Sequence, residues 1–498
     1  MVSLSKDARA VPFIWAFSLV FVFFTTVTPV FATDSGFAAE ALTLTPGKNT
    51  REINLTWYGN TDAGSVSHIK IASASVMSGD TCLSANVISG THTPASAGKI
   101  SHKVIVTGLN ANTEYGYCVS NDGVKYSKMY TYKTPMADSF KFAVTGDPQM
   151  TVGKQDKSSK RKNETTLKGW HDTVASLAAR GVNFIAGVGD QVDKTKEGDE
   201  AEYANFFAPD ALRSIPFSPA IGNHDRHYLF NFHYNIPNEL SFTPIDNAGN
   251  KDDQQYKDME VRANYYYLYN NSLFVVLNDS GYPESKAVAA QYVKNFDAVL
   301  KVATQAHAGQ YTWLFVQHHK STASVADHVA DRDIQYYVEA GFDALMDKYN
   351  VDFVLAGHDH VYARSYPMKG GKPDKTNLKS GVGNTAIKGG DGADSSNKPN
   401  GTVYFTATAA SGLKYYELFN NGDHLYIKDN QSYPYLVNGL GGSVEYVKGN
   451  LPLSTAKYLQ NKTPGYLYIE VSVSTASFKW YDLDDYANTP YDTYTVTK

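Results

Sequence analysis

Apolar and polar positions follow two different rhythms along this chain. Between residues 40 and 136 they alternate in twos, as in Ile53–Tyr58, Ser67–Ile71 and Lys103–Val106, with Gly, Asn and Asp at the breaks. A period of two lays one row of side chains on each face of a strand, so this segment is predicted to be all-β. From Phe140 the rhythm changes. Short unbroken apolar runs, Phe140–Thr145, Phe184–Val188, Pro216–Ile221, Trp313–Val316 and Phe353–Ala356, are separated by stretches with apolar residues at helical spacing. Those stretches predict helices over Leu167–Ala179, Val288–Thr304 and Ile334–Tyr349, the first ended by Gly181. The apolar runs are too short for helices and read as buried strands. Strand–helix alternation then predicts βαβ units and a largely parallel sheet. Further strand patterns at Val403–Ala407, Gly465–Val473 and Phe478–Tyr481 are expected to complete a second sheet of the same domain.

The change of rhythm divides the chain. Segment 40–136, about 95 residues, has the size of one immunoglobulin-like or fibronectin type III-like sandwich. Leu109 followed by Asn112, Thr113, Glu114 and Tyr115 has the form of the tyrosine corner of such sandwiches, which makes Trp57 and Tyr115 core residues. Thr134–Asp138 is a short linker, so the sandwich is expected to lie close to the second domain. Residues 140–498 then form one α/β domain, with 369–400, rich in Gly, Lys, Asp, Asn and Ser, as an insert. Gly389–Asp394 suggests a calcium loop but lacks the flanking ligands that such a loop requires.

Composition narrows the class. Residues 1–32 carry Lys6 and Arg9, an apolar stretch from about Val11 to Val27, and Val30-Phe31-Ala32. This is the arrangement of a secretory signal cleaved after Ala32, a retained anchor being the alternative. No later stretch reaches about 18 consecutive apolar residues, so no other membrane span is expected. The signal implies a secreted, periplasmic or cell-surface location. The chain holds 45 Lys+Arg against 50 Asp+Glu, with no basic tail or stripe to attract a nucleic acid. Cys82 and Cys118 are its 2 cysteines, both in the sandwich segment. In an exported protein such a pair reads as a disulfide, two buried thiols being the other reading. Neither cysteine is near the clustered Asp, Asn and His residues of the second domain, which leaves thiol chemistry and thiolate-bound zinc without support.

Candidate chemistry sits where the apolar runs end. In order, they lead into Gly146-Asp147-Pro148-Gln149, Gly189-Asp190-Gln191-Val192-Asp193, Gly222-Asn223-His224-Asp225, Gln317-His318-His319 and Gly357-His358-Asp359-His360. In open α/β sheets ligands bind beyond the carboxyl ends of the strands, so these ends are predicted to converge on one site. Mixed oxygen and imidazole donors suit zinc, iron or manganese better than calcium. Two cations about 3.5–4 Å apart need an anionic bridge, for which a carboxylate is the natural group. His224 follows Asn223 directly and can lie over the site without being a ligand. Asp225 is placed to accept its other N–H and fix its tautomer. His318 and His319 compete for one ligand position. His328 lies where the loop after that strand could reach a substrate, a solvated loop histidine being the competing reading.

As an ordered set these motifs resemble the signature of the calcineurin-like metallophosphoesterases. The sandwich, together with Gly-His-Asp-His-Val-Tyr-Ala-Arg-Ser-Tyr-Pro from Gly357 to Pro367, resembles the purple acid phosphatase branch. The resemblance implies a four-layer α-β-β-α domain behind a fibronectin type III-like domain, and a centre of two divalent or trivalent ions. It implies Asp190 as the bridging ligand, Asp147, Gln149 and His360 on one ion, and Asn223, His318 and His358 on the other. His319 would face the mouth of the site, and His224 would protonate the leaving oxygen or bind a phosphate oxygen. The activity implied is that of an exported, metal-dependent phosphoric ester hydrolase of the acid phosphatase type, with a metal-activated water attacking the phosphorus of a small ester in line. A phosphodiesterase or nucleotidase on the same site is the alternative, and a non-enzymatic surface-binding protein a distant one. Two positions depart from the purple acid phosphatase pattern. Asp193 stands where that branch has a metal-bound tyrosine, and Gln149 stands where many relatives have His or Gly.

Overall fold

The computed structural model describes residues 39–60, 66–77, 82, 85–152, 164–194, 200–225, 227–245, 262–374, 376, 378–379, 395–397, 399–416, 446–447, 451–452 and 455–498. The expected signal at 1–32, Gly389–Asp394 and much of the 369–400 insert lie outside these residues.

The alternating segment forms two antiparallel sheets. One runs, in spatial order, Glu40–Pro46, Ile53–Asn60, Lys99–Val106, Thr91–Pro94; the other runs Asn86–Ser89, His68–Ser73, Glu114–Ser120, Tyr130–Lys133. Leu44, Leu55, Trp57, Ile69, Val104 and Val119 lie in the core between them. Trp57 donates its indole N–H to Asn121 Oδ1 (2.6 Å), and the Tyr115 hydroxyl accepts the Asn110 backbone N–H (2.8 Å), the lock expected of the corner. A disulfide joins Cys82 to Cys118.

Beyond the linker two sheets pack face to face. Among the described residues the first has the order Phe217–Ala220, Phe184–Val188, Ser139–Thr145, Gly465–Ser472, Thr475–Asp482, Asp492–Thr497, Ser395–Asn397, Leu378–Lys379. The second has the order Tyr265–Tyr269, Ser272–Val276, Trp313–Lys320, Phe353–Gly357, Val403–Thr406, Tyr362–Ser365, Thr455–Leu459. Adjacent site-bearing strands are parallel to one another, as strand–helix alternation requires, but Ser139–Thr145 pairs antiparallel with Gly465–Ser472 on its other side, so both sheets are mixed rather than largely parallel. Phe142, Phe184, Phe274, Phe315, Phe353 and Phe478 fill the space between the sheets. Thr166–Ala179, Glu200–Phe206 and Leu229–His233 cover the outer face of the first sheet. Lys286–Ala306, Arg332–Glu339 and Phe342–Tyr349 cover that of the second. The domain is therefore a four-layer α-β-β-α stack, preceded by an all-β one.

Three expectations about elements change. The helix predicted over Ile334–Tyr349 is broken at Gly341, whose φ of 96° is left-handed and ends one helix as the next begins. The carboxyl-terminal strands do not share one sheet: Val403–Thr406 pairs with Phe353–Gly357, whereas Gly465–Ser472 and Thr475–Asp482 extend the sheet of Ser139–Thr145. Alternation gives a strand's faces but not its neighbour. The Trp313 strand also runs on through Gln317, His318 and His319 to Lys320, burying polar side chains that the apolar run excluded.

The sandwich lies against the first sheet's helical side. Ser101 Oγ donates to Phe232 O (2.6 Å), Lys103 Nζ to Asn231 O (2.7 Å) and Tyr234 O (2.6 Å), and Tyr117 OH to Arg213 O (2.6 Å). Among the described residues no helix is long and apolar enough to cross a membrane.

Candidate metal centre

Parallel strands in register end side by side. Gly187 is level with Thr145, Val188 with Ala220, and Gln317 with both Val276 and Leu355. The chain turns sharply just past these ends. Asp147 (φ 48°), Gln149 (39°), Asp190 (53°), His358 (70°) and His360 (45°) all hold left-handed backbone, which costs an L-residue about 1–2 kcal/mol. Such concentrated strain persists only where surrounding contacts enforce it, and it marks functional sites. The motif glycines enforce close approach: a Cβ on Gly222 would collide with Asp190 Oδ1, and one on Gly357 with Asp147 Oδ2.

Two groups of donors result, sharing one carboxylate. In the first, His360 Nε2 lies 3.4 Å from Asp147 Oδ1, and Gln149 Nε2 lies 3.1 Å from Asp190 Oδ2. In the second, His319 Nε2 lies 2.9 Å from Asn223 Oδ1, 3.4 Å from Asp190 Oδ1 and 3.2 Å from His358 Nδ1. All but Asn223 are buried. His319 donates Nδ1–H to Val188 O (2.8 Å) and His360 donates Nδ1–H to Lys414 O (2.6 Å). Each bond fixes the tautomer that leaves an Nε2 lone pair facing the site, the usual support of a metal-bound imidazole.

His319, not His318, occupies the inward position. Along the strand, Phe315 and Gln317 face the space between the sheets, while Leu314 and Val316 face the helices. The pairing with Phe353–Gly357 shifts register between Gln317 and Lys320, yet the contacts keep the alternation, His319 turning to the site and His318 turning away. His318 instead places Nδ1 2.8 Å from Asp279 Oδ2, with its ring 4.9 Å from Phe342. The signal was present in the spacing from Phe315.

Asp225 does not touch His224. Its carboxylate accepts the backbone N–H groups of Gln191 (2.7 Å) and Gly222 (2.5 Å), tying two site loops together. A short side chain directly after His224 folds back onto its own turn instead. His224 donates Nδ1–H to the carbonyl of Asp193 (2.8 Å), and its backbone N–H goes to Asp190 Oδ1 (2.8 Å). His328 stacks on His358 at 4.2 Å between ring centres and pairs with Asp331 (2.6 Å), so it lies at the site rather than free in solvent. Sequence reasoning missed Tyr416, whose ring meets His328 (4.4 Å) and His360 (4.9 Å). It also missed two buried carboxylates that hold backbone: Asp279 accepts the His319 and Lys320 N–H groups, and Asp359 those of Ala326 and His328. Only Asp359 had a sequence signal, its place inside Gly-His-Asp-His.

The electrostatics call for positive charge. Burial disfavours ionised Asp190, yet His319 and His224 outweigh it and hold the carboxyl well below the usual range. Burial lowers His319, but Asp190, Asp147 and Asp279 raise it to about 10. His358, buried among His319, His328, Lys320 and His360, is pushed well below an ordinary imidazole. A buried carboxylate pair beside inward-facing lone pairs is stabilised either by a proton on His319 or by cations. Gln149 Oε1 is buried without a hydrogen-bond partner, which leaves an oxygen donor for the same purpose. The donors present therefore fit metal ions, and Asp190, His319 and His358 offer ligand atoms all within 4.8 Å of one another.

The sequence model of the calcineurin-like phosphoesterase family matches residues 140–362, and that of the purple acid phosphatase N-terminal domain matches residues 39–134. Among solved structures the chain is similar to purple acid phosphatase PPD1 from seeds of yellow lupin (Lupinus luteus), with 16% identity and a TM-score of 0.57 over 92% of this chain and 74% of that one. It is also similar to PhoD, with 11% identity and a TM-score of 0.53 over 92% and 90%. At these identities the structural likeness is one of fold. No curated protein matches this chain in sequence.

Proposed function

Because this chain belongs to the calcineurin-like metallophosphoesterases, phosphoric ester hydrolases, and carries the N-terminal domain of purple acid phosphatases, we propose that it is an exported phosphomonoesterase of the acid phosphatase type. The observation that carries the reading is that one carboxylate, Asp190, faces both donor groups, with Oδ2 beside Gln149 and Oδ1 beside His319. Asp147, Gln149, His360 and Asp190 would hold one ion, and Asp190, Asn223, His319 and His358 the other. Iron, zinc or manganese suits this donor set. When bound, two such ions make water acidic enough to attack phosphorus near neutral pH and offset charge on the phosphoryl oxygens.

His224 supplies the proton. With Nδ1–H committed to Asp193 O, its Nε2 is left to carry a proton to the leaving oxygen. Burial opposes charge on this ring, but Asp190 and Asp193 raise its pKa above the ordinary value, which suits an acid. His328 and Tyr416, against His358 and His360, form a wall that orients the ester. The Cys82–Cys118 disulfide supports an oxidising, extracytoplasmic compartment.

Metal analysis of purified protein, with monoester and diester turnover on the same sample, tests the reading. About two ions per chain and a monoester rate at least tenfold above the diester rate are expected. A faster diester would make it a phosphodiesterase, and a metal-loaded protein inert towards both would make it a binding protein.

A further inference from the structure

Resting on the reading of His224 as proton donor, we propose that Glu202 is the positioning residue that aims it, and that the N-terminal sandwich braces the helix carrying Glu202. The His224 ring is oriented through its bond to the Asp193 carbonyl, with the Asp193 carboxylate 3.7 Å from the same nitrogen. That carbonyl lies in a turn outside any helix or strand, so its direction must be set by a neighbour. Glu202, 4% exposed, sets it: Oε2 accepts the backbone N–H of Lys194 (2.8 Å) and of Asp193 (3.0 Å), the latter shared with Met150 O (3.1 Å).

The geometry comes from the peptide unit. Asp193 C=O and Lys194 N–H belong to one planar trans peptide and point in opposite directions. Holding the N–H on a buried carboxylate therefore aims the C=O the other way, at His224.

Glu202 is itself held from the sandwich. It lies in the helix Glu200–Phe206, and Glu200 Oε1 accepts from Tyr58 OH (3.0 Å) and Ser96 Oγ (2.5 Å), both sandwich residues. Glu200 Oε2 meets His233 Nε2 at 2.8 Å, and Tyr203 stacks on the same imidazole at 4.1 Å. Contacts thus run from Tyr58 and Ser96 through one helix to the carbonyl that orients His224.

The test exploits leaving-group chemistry. An alkyl alcohol needs a proton as it departs, whereas nitrophenolate does not. Glu202→Gln in the full chain should lower kcat on an alkyl phosphate about tenfold and on 4-nitrophenyl phosphate less than about threefold, with metal content unchanged. Equal losses on both esters, or no loss, would overturn the proposal, because a merely structural role does not discriminate between them. Should this variant not fold, Glu202→Asp, which keeps the charge but withdraws it by one methylene, must give the same split. Tyr58→Phe must give a weaker split of the same sign, and an unselective effect there refutes the bracing role. His224→Ala in parallel separates the failures. If it slows both esters equally, the donor role of His224 itself falls; if it is selective while Glu202→Gln is not, only the positioning role of Glu202 falls.

Discussion

His319 has its Nδ1–H on Val188 O and its Nε2 among Asp190, Asn223 and His358. His319→Ala is therefore expected to lose at least one ion per chain and to cut turnover by about a hundredfold or more, read by metal analysis and initial rates. His318→Ala is the contrasting case. It leaves the metal donors in place but removes the imidazole beside the buried Asp279 carboxylate. Metal content should stay, while stability falls by about 2–4 kcal/mol, read as a lower denaturant midpoint. The reverse pattern would restore His318 to the ligand set. At this scale one residue of register decides chemistry, since neighbours on a strand face opposite sides of the sheet.

Helix Glu200–Phe206 makes contacts on two sides, with Glu202 bonded to the Asp193–Lys194 turn and Glu200 to the sandwich. Burial disfavours charge on Glu200, but His233, Ser96 and Tyr58 more than compensate and bring its pKa from 4.5 to about 2. A carboxylate depressed on folding contributes stability that is complete above its unfolded pKa and lost as pH falls through the folded one. The window is thus from about pH 4.5 down to about 2, and the contribution is on the order of 3 kcal/mol. Urea midpoints measured from pH 6 to pH 2.5 should fall more steeply for the native chain than for Glu200→Gln, which starts lower and loses less. Parallel slopes would mean that Glu200 is not ionised against its partners. The neighbouring helices reinforce the lesson about elements: Gly341, in left-handed backbone, splits a pattern that periodicity alone reads as continuous.

Across the whole molecule, the sandwich is both cross-linked and bonded to the catalytic layers. Cys82 and Cys118 are 36 residues apart in sequence, so removing the bond by Cys82→Ser with Cys118→Ser should cost about 3–4 kcal/mol through the unfolded chain. A thermal midpoint insensitive to that double substitution would show that the pair adds nothing to stability. The sequence alone determined the two-part plan, because a period of two and an alternation of strand with helix are local consequences of which residues seek burial. It also determined that Asp147, Asp190, Asn223, His358 and His360 end apolar runs, since each motif directly succeeds its strand. Tertiary structure decided the rest. Which sheet takes the last strands depends on edges formed by residues far apart in sequence. That His328 and Tyr416 close on His358 and His360, and that Asp193 rather than Asp225 orients His224, depends on where loops fold back. Sequence patterning reports what each residue buries, whereas contacts between loops are fixed only when the strands beneath them are aligned.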